Sequence, residues 1–348
     1  MKINVILPFT SLTGGIKVVF MYCNFLVEKG YDVICYVPKI PYRFNLSLLN
    51  YTKSFIKNCI LYDQKSRWFD RKFEIKSVIK INNKNIREAD ITIATAWPTA
   101  VDLARLDDKK GKKVYFIQAY ETFSGKKEEV DLTYKLNLNN IVVTKNLHDF
   151  LYDNFNTQSE IIYNGLDESE FIKGDKKTNT RKTILMLVDS SINKGSKEGV
   201  EILKNLQLKY DINIILFGVK KPSYISNEFD FYELPSREEL ISLYQKSDIY
   251  LFTSKYESWG LPVLEAMSNK CAVVGMDTGV ISEFGIDGKN CIMGSNYEEL
   301  YKGLEQLLVN DDLLCSIQNN GYQLSIKFNW KYSYIKFEKY LRGLYNEK

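Results

Sequence analysis

Short runs of β-branched and aromatic residues alternate with helix-period stretches along this chain, and the whole alternation runs through twice. Such a rhythm is the signature of parallel sheets, because parallel neighbours need a crossover long enough to hold a helix. In the first pass the strand runs fall at residues 2–7, 32–37, 90–95, 113–117, 140–143 and 160–163, and the clearest helix pattern, 16–29, stops at Gly30. The second pass has runs at 183–188, 213–217, 230–234, 248–252, 271–275 and 291–293. Residues 167–182 between them are polar, charged and unpatterned, which marks a linker. A length of 348 residues also favours two domains, with one large α/β barrel as the competitor. The expectation is therefore an α/β chain of two Rossmann-like doubly wound domains, 1–166 and 183–329, facing a central cleft. Ligands of such sheets bind in loops at the carboxyl ends of strands. Residues 330–348 carry Tyr332, Tyr334, Phe337, Tyr340 and Tyr345, too many aromatics for a solvated tail, and are expected to pack on a domain.

Composition narrows the class further. Apolar residues at 45% and charged residues at 26% are ordinary globular usage, which excludes collagen-like, disordered and membrane-embedded chains. The longest uncharged run, 3–16, is short and broken by Asn4, Pro8, Gly14 and Gly15, so no transmembrane helix is expected. Lys2 and the apolar residues after it imitate a signal peptide, but no small-residue cleavage site follows, and the segment reads as the first strand. The six cysteines form no C-x-x-C pair, which fits a reducing cytosol and gives no metal or redox motif.

The strongest local signal is the stretch 252–267, F-T-S-K-Y-E-S-W-G-L-P-V-L-E-A-M. It reads as a strand end, a loop carrying Glu257, and a helix opened by Pro262, whose fixed φ and missing N–H suit the first helical position. Free N–H groups beside Gly260 and Leu261 favour an anion there. Glu265 follows in the same helix, so two carboxylates can face one cleft as acceptors for the hydroxyls of a sugar or ribose. The bland alternative is a solvated Glu257 and a Glu265 that complements the helix dipole. A second signal, Asp189-Ser190-Ser191 running to Lys194-Gly195, leads from a strand end into a helix, where a lysine neutralises a phosphate or is merely solvated. The third is the Gly14-Gly15 pair after the first strand, which permits close backbone approach to a ligand or serves only as a turn. Neither G-x-G-x-x-G nor a P-loop occurs.

Some features point away from chemistry. His148 is the only histidine and sits in a helix pattern, so a Cys/His metal site is excluded. No two aspartates stand two apart, so an Asp-x-Asp clamp for a metal-bound diphosphate is absent, and leaving-group charge falls to lysine and backbone amides. Net charge is +4, yet residues 1–166 carry +7 and the remainder −3. Residues 39–87 hold twelve Lys/Arg against three acids, with Lys72, Lys76, Lys80 and Lys84 four apart. With Trp68, Phe69, Phe73, Ile75, Val78 and Ile79, residues 66–84 read as a basic amphipathic helix, either docking on an anionic membrane surface or forming a solvated outer face. So local a patch on a chain of +4 argues against nucleic acid.

With these motifs in place, the chain resembles retaining glycosyltransferase family 4 over nearly its whole length. Glu257 and Glu265 match that family's E-x7-E motif, and Cys271-Ala-Val-Val, Asp277-Thr-Gly279, Asp287-Gly-Lys-Asn290 and Asn164-Gly165 match its flanking segments. The resemblance implies the two-domain GT-B fold, with an acceptor domain first and a nucleotide-sugar donor domain second. It implies that Glu265 holds the nucleotide ribose, Glu257 contacts the transferred sugar, and Lys194 holds the donor diphosphate. Gly14 and Gly15 match the glycine loop beside the phosphates and acceptor, and residues from Trp330 resemble the helix that crosses back to the first domain.

Two departures stand out. The family's Gly-Arg dipeptide is replaced near Ser190 and Ser191, removing a diphosphate arginine, and Gln118, near Tyr120, stands where many members carry histidine. The expected function is a metal-independent, cofactor-free retaining transferase. It would move a hexose or deoxyhexose from a nucleotide diphosphate sugar to a hydroxyl of a glycan or lipid-linked saccharide, with Gln118 and Tyr120 on the acceptor or sugar side. The rivals are a non-catalytic partner subunit of another transferase and a nucleotide-sugar epimerase or hydrolase.

Overall fold

The computed structural model describes residues 1–42, 44, 68–174, 176, 179–226 and 228–347. Cys59 and much of the basic stretch, including residues 66 and 67, lie outside the described residues. The chain divides into two compact units, Met1–Tyr163 with Ser333–Lys348, and Asn164–Tyr332.

In the first unit seven strands form one sheet: β1 (Lys2–Ile6), β2 (Asp32–Pro38), β3 (Glu74–Val78), β4 (Ile91–Ala94), β5 (Lys112–Ile117), β6 (Asn139–Val142) and β7 (Ser159–Ile161). Their spatial order is β3-β2-β1-β4-β5-β6-β7, and every pairing is parallel. Central strands read as near-continuous apolar runs because helices cover both faces of such a sheet; Val114, Tyr115, Phe116 and Ile117 of β5 are all buried. The helix Gly14–Glu28 is capped by Thr13, whose hydroxyl accepts from Ile16 N–H at 3.3 Å. Gly14 and Gly15 are thus the first residues of that helix and not a preceding turn. The helix Trp330–Asn346 packs its residues from Ser333 onward on this unit. Phe337 stacks on Tyr22 at 4.3 Å between ring centroids and Tyr334 stacks on Phe25 at 4.6 Å.

The basic stretch corrects an expectation. Residues 74–78 are β3, the edge strand beside β2, and not part of an amphipathic helix. A spacing of four suits one face of a helix, but it is also a multiple of the strand period of two. Phe73 and Ile75 point inward while Glu74 and Lys76 are exposed, and Phe73 packs with Trp68 and Phe69 around Phe20. Lys72 pairs with Glu28 at 2.6 Å and Lys76 with Glu74 at 3.4 Å. Among the described residues of 66–84, then, the expected amphipathic helix is not formed. Among the described residues no helix is long and apolar enough to cross a membrane.

The second unit holds a six-stranded parallel sheet, β8 (Thr183–Leu187), β9 (Asn213–Gly218), β10 (Asp230–Glu233), β11 (Ile249–Phe252), β12 (Ala272–Met276) and β13 (Ile292–Gly294), in the order β10-β9-β8-β11-β12-β13. Helices Ser196–Gln207, Tyr297–Val309 and Asp311–Ser325 bury Leu203, Leu206, Leu304, Leu307 and Ile317 against it. Each sheet has the doubly wound reversal, at β1/β4 in the first and β8/β11 in the second.

Candidate functional site

The reversal between β8 and β11 explains why distant motifs converge. The chain leaves these adjacent parallel strands in opposite directions, so their following loops splay apart and leave a crevice over the strand ends. The loop after β8 is Val188 to Gly195 and the loop after β11 is Thr253 to Gly260, the two segments that carry Lys194 and Glu257. The Lys194 ammonium forms a part-buried ion pair with Glu257 Oε2.

The backbone of the two loops is locked together. Thr253 Oγ1 donates to the Lys194 carbonyl at 2.7 Å, and Lys255 N–H donates to the Asn193 carbonyl at 2.8 Å. Gly195 has φ +60°, and a Cβ there would stand 2.4 Å from the Thr253 carbonyl oxygen, so only glycine fits. Asp189 turns the loop by accepting Ser191 N–H at 2.7 Å, and its own N–H donates to Ser196 Oγ at 2.9 Å. Ser190 and Ser191 are exposed at the rim.

The helix Leu261–Ser268 starts at Gly260, whose φ of +84° demands a residue without Cβ, and has Pro262 in its first turn. Glu265 is buried in it and both of its carboxylate oxygens are held. Arg237 Nη1 donates to Oε1 at 2.7 Å and the Tyr244 hydroxyl donates to Oε2 at 3.1 Å. Burial, then the Glu265 charge, hold the Tyr244 hydroxyl well above its ordinary pKa, so it stays a donor. Arg237 in turn grips Glu170 through Nε at 2.6 Å and through Nη2. Burial opposes its charge, but Glu265 and Glu170 outweigh that and raise its pKa.

In the first unit the helix start after β1 and the loop after β5 also meet. Gln118 Nε2 donates to the Gly15 carbonyl at 3.2 Å, so the residue standing in the family's histidine place lies against the glycine pair. A Cβ on Gly15 would sit 3.4 Å from that amide. Tyr120 gives its hydroxyl to Asp131 at 2.7 Å and packs on Phe150. Next to it Glu121 accepts the Trp97 N–H at 2.5 Å at the start of helix Trp97–Ala104. Burial raises the Glu121 carboxyl to about 7, against the smaller opposing effect of that hydrogen bond.

Of the positions expected from the sequence, Lys194 pairs with Glu257, Gly260 opens the helix that carries Glu265, and Gln118 lies against Gly15, the residue after Gly14. Arg237, Tyr244, Glu170 and Glu121 were missed. Tyr244, Glu170 and Glu121 carry no local signal. Arg237 carried one: a cation in a first helical turn opposes the helix dipole and calls for a nearby anion.

Residues 167–324 match the family described as Glycosyl transferases group 1. The chain is similar to an uncharacterized glycosyltransferase of Methanocaldococcus jannaschii, with 25% identity over 202 residues, covering 55% of each chain. It thus spans about half the length of that curated relative. Among solved structures it is similar to sucrose-phosphate synthase from Thermosynechococcus elongatus, with a TM-score of 0.75 and 14% identity over 100% of both chains. It is also similar to Anabaena HepE in complex with UDP-glucose, with a TM-score of 0.72 and 14% identity over 99% of this chain and 100% of that one. At such identity the likeness is one of fold. The two parallel sheets and their reversals thus have the GT-B fold of those structures, and within it residues 167–324 match the family Glycosyl transferases group 1.

Proposed function

We propose that the protein is a retaining, metal-independent glycosyltransferase that moves a hexose or deoxyhexose from a nucleotide diphosphate sugar to a hydroxyl acceptor, a glycan or lipid-linked saccharide of an envelope polysaccharide. The observation that carries this reading is the Lys194–Glu257 ion pair over the β8/β11 reversal, with the buried Glu265 in the helix that follows. Arg237 and Tyr244 each take one lone pair of Glu265, which leaves an acceptor position on each oxygen for the two neighbouring hydroxyls of a ribose. Glu257 accepts from sugar hydroxyls. Lys194 meets the diphosphate, whose charge grows as the bond from the anomeric carbon to the phosphate oxygen breaks.

In the reaction the acceptor oxygen bonds to the anomeric carbon on the face the phosphate leaves, and its proton passes to the departing phosphate oxygen. No side chain is needed as base, and the anomeric configuration is retained. The protein contributes position and charge. The second unit receives the donor, and the first receives the acceptor near Gly14, Gly15 and Gln118. The cysteines described, all free, fit a cytosolic setting.

The absent diphosphate arginine near Ser190 favours a second reading, a non-catalytic partner subunit of another transferase. One assay separates the two: purified protein with a panel of nucleotide sugars, UDP-glucose first, and detection of released nucleotide with and without acceptors. Acceptor-stimulated release supports the transferase. No turnover with any donor, together with intact nucleotide binding, supports the partner subunit.

A further inference from the structure

Resting on the reading that Glu265 holds the nucleotide ribose, we propose that Arg237 is a positioning residue of the donor site, set in place by Glu170 and in turn fixing the Glu265 carboxylate. Three observations carry this. The guanidinium fork is divided between two carboxylates from different parts of the unit: two nitrogens on Glu170, in the segment that follows β7, and one on Glu265. It is also placed against local preference, at the first position of helix Arg237–Lys246, where the dipole disfavours a cation. The helix is already capped there, since Ser236 and Glu239 exchange hydrogen bonds, so Arg237 is not serving the helix end.

The third observation is the sharing of Glu265. Its side chain is about one-tenth exposed, and each oxygen has one protein donor. Arg237 on Oε1 and Tyr244 on Oε2 fix both the plane and the rotation of the carboxylate, so the remaining lone pairs point one way. A carboxylate so buried and stripped of its cation rotates toward whatever donor remains, and its aim at a diol is lost. Glu170 supplies the other half of the device, because a guanidinium held at two nitrogens presents its third at one angle only. Donor affinity thus depends on a residue outside the strand-end loops.

The test is calorimetric titration of UDP, with ADP, GDP and dTDP in parallel, into the full-length protein and the variants Glu265→Ala, Arg237→Met, Arg237→Lys, Glu170→Gln and the double variant Arg237→Met/Glu265→Ala. Melting curves check folding. Glu265→Ala is expected to weaken the nucleotide that binds the parent protein by about tenfold. Arg237→Met should weaken it by about fivefold or more, yet change affinity less than about twofold in the Glu265→Ala background, since a residue acting through another has nothing left to position. Arg237→Lys should fall between, and in turnover assays with donor Glu170→Gln should raise KM by about two- to threefold, a larger effect than on kcat.

If Glu265→Ala weakens binding while folded Arg237→Met, Arg237→Lys and Glu170→Gln bind as the parent does, Arg237 positions nothing and the inference is overturned. Equal losses from Arg237→Met in both backgrounds overturn it too, by showing direct contact with nucleotide. If Glu265→Ala binds normally, or no nucleotide binds the parent, the ribose reading itself fails and takes the inference with it. Should Arg237→Met not fold, Arg237→Lys and Glu170→Gln decide the matter by the same comparison.

Discussion

Lys194 and Glu257, 63 residues apart in the chain, meet as an ion pair over the reversal between β8 and β11. Each is less than a third exposed, so the pair is neither a surface salt bridge nor a sealed one. The two opposite charges offset each other. Under the proposed function a diphosphate sugar would bring an anion for the lysine and hydroxyls for the glutamate, so binding would exchange one set of partners for another. That exchange makes the two residues separable by experiment.

Replacing Glu257 with Ala frees Lys194 from its counter-ion. Free nucleoside diphosphate should then bind as well as to the parent protein or more tightly, while sugar transfer falls by about two orders of magnitude. Calorimetry with nucleotide and turnover assays with donor measure the two halves. A loss of nucleotide affinity in the folded variant would place Glu257 on the nucleotide and sink its assignment to the sugar.

Replacing Lys194 with Ala should lower kcat by about two to three orders of magnitude and ground-state nucleotide affinity far less, because the negative charge it meets is largest in the transition state. With the family arginine absent near Ser190, no neighbouring guanidinium on that loop substitutes for it. Turnover near the parent value would remove Lys194 from the chemistry.

Activity should survive exhaustive treatment with EDTA, since the chain has no Asp-x-Asp clamp and leaving-group charge is assigned to Lys194 and backbone amides. Inactivation by chelator, reversed by magnesium or manganese, would overturn that assignment.

Glu121 provides a pH test of the first unit. Its carboxyl is raised from 4.5 to about 7 in the folded state, mainly by burial. A raised carboxyl favours the folded state fully below its ordinary value, and that contribution is lost as pH rises through about 7. Glu121→Gln keeps an acceptor for Trp97 N–H and carries no charge to bury. It should be more stable than the parent at pH 8, by up to about 3 kcal/mol, with the advantage gone near pH 4.5. Urea unfolding at several pH values measures this, and a pH-independent difference would contradict it.

Lys176 tests how the segment after β7 is tied to the second unit. Its ammonium sits among the carbonyls of Tyr244 at 3.3 Å, Asn269 and Lys270 at 3.0 Å, and Ser247. These carbonyls end the helices Arg237–Lys246 and Leu261–Ser268, so two negative dipole ends converge on one cation. Lys176→Met should destabilise the protein by about 2 to 4 kcal/mol, because it removes the one cation shared by these carbonyls, of which those of Tyr244 and Ser247 keep only the weak Cys271 thiol and, at Tyr244, the Ser247 N–H. A shift in urea midpoint worth less than about 0.5 kcal/mol would show that water serves the cage equally well.

By itself, the sequence determined the alternation of strands and helices, and hence two parallel doubly wound sheets, since buried parallel strands read as near-continuous apolar runs and are separated by helix-length crossovers. It also determined the glutamate pair, because Glu257, Gly260, Pro262 and Glu265 belong to one continuous strand–loop–helix whose local rules are all satisfied. It failed at β3, where lysines four apart satisfy both a helix face and a strand face, and only the aromatic packing of Phe73 and Trp68 on Phe20 decides between them. Only the tertiary structure decided which residues touch: Lys194 meets Glu257 because strand order reverses between β8 and β11, and Arg237 meets Glu170 and Glu265 because side chains from three elements meet at one guanidinium. Periodicity is local and survives in the sequence, whereas strand order and the neutralisation of buried charge are properties of the whole unit and leave no spacing to read.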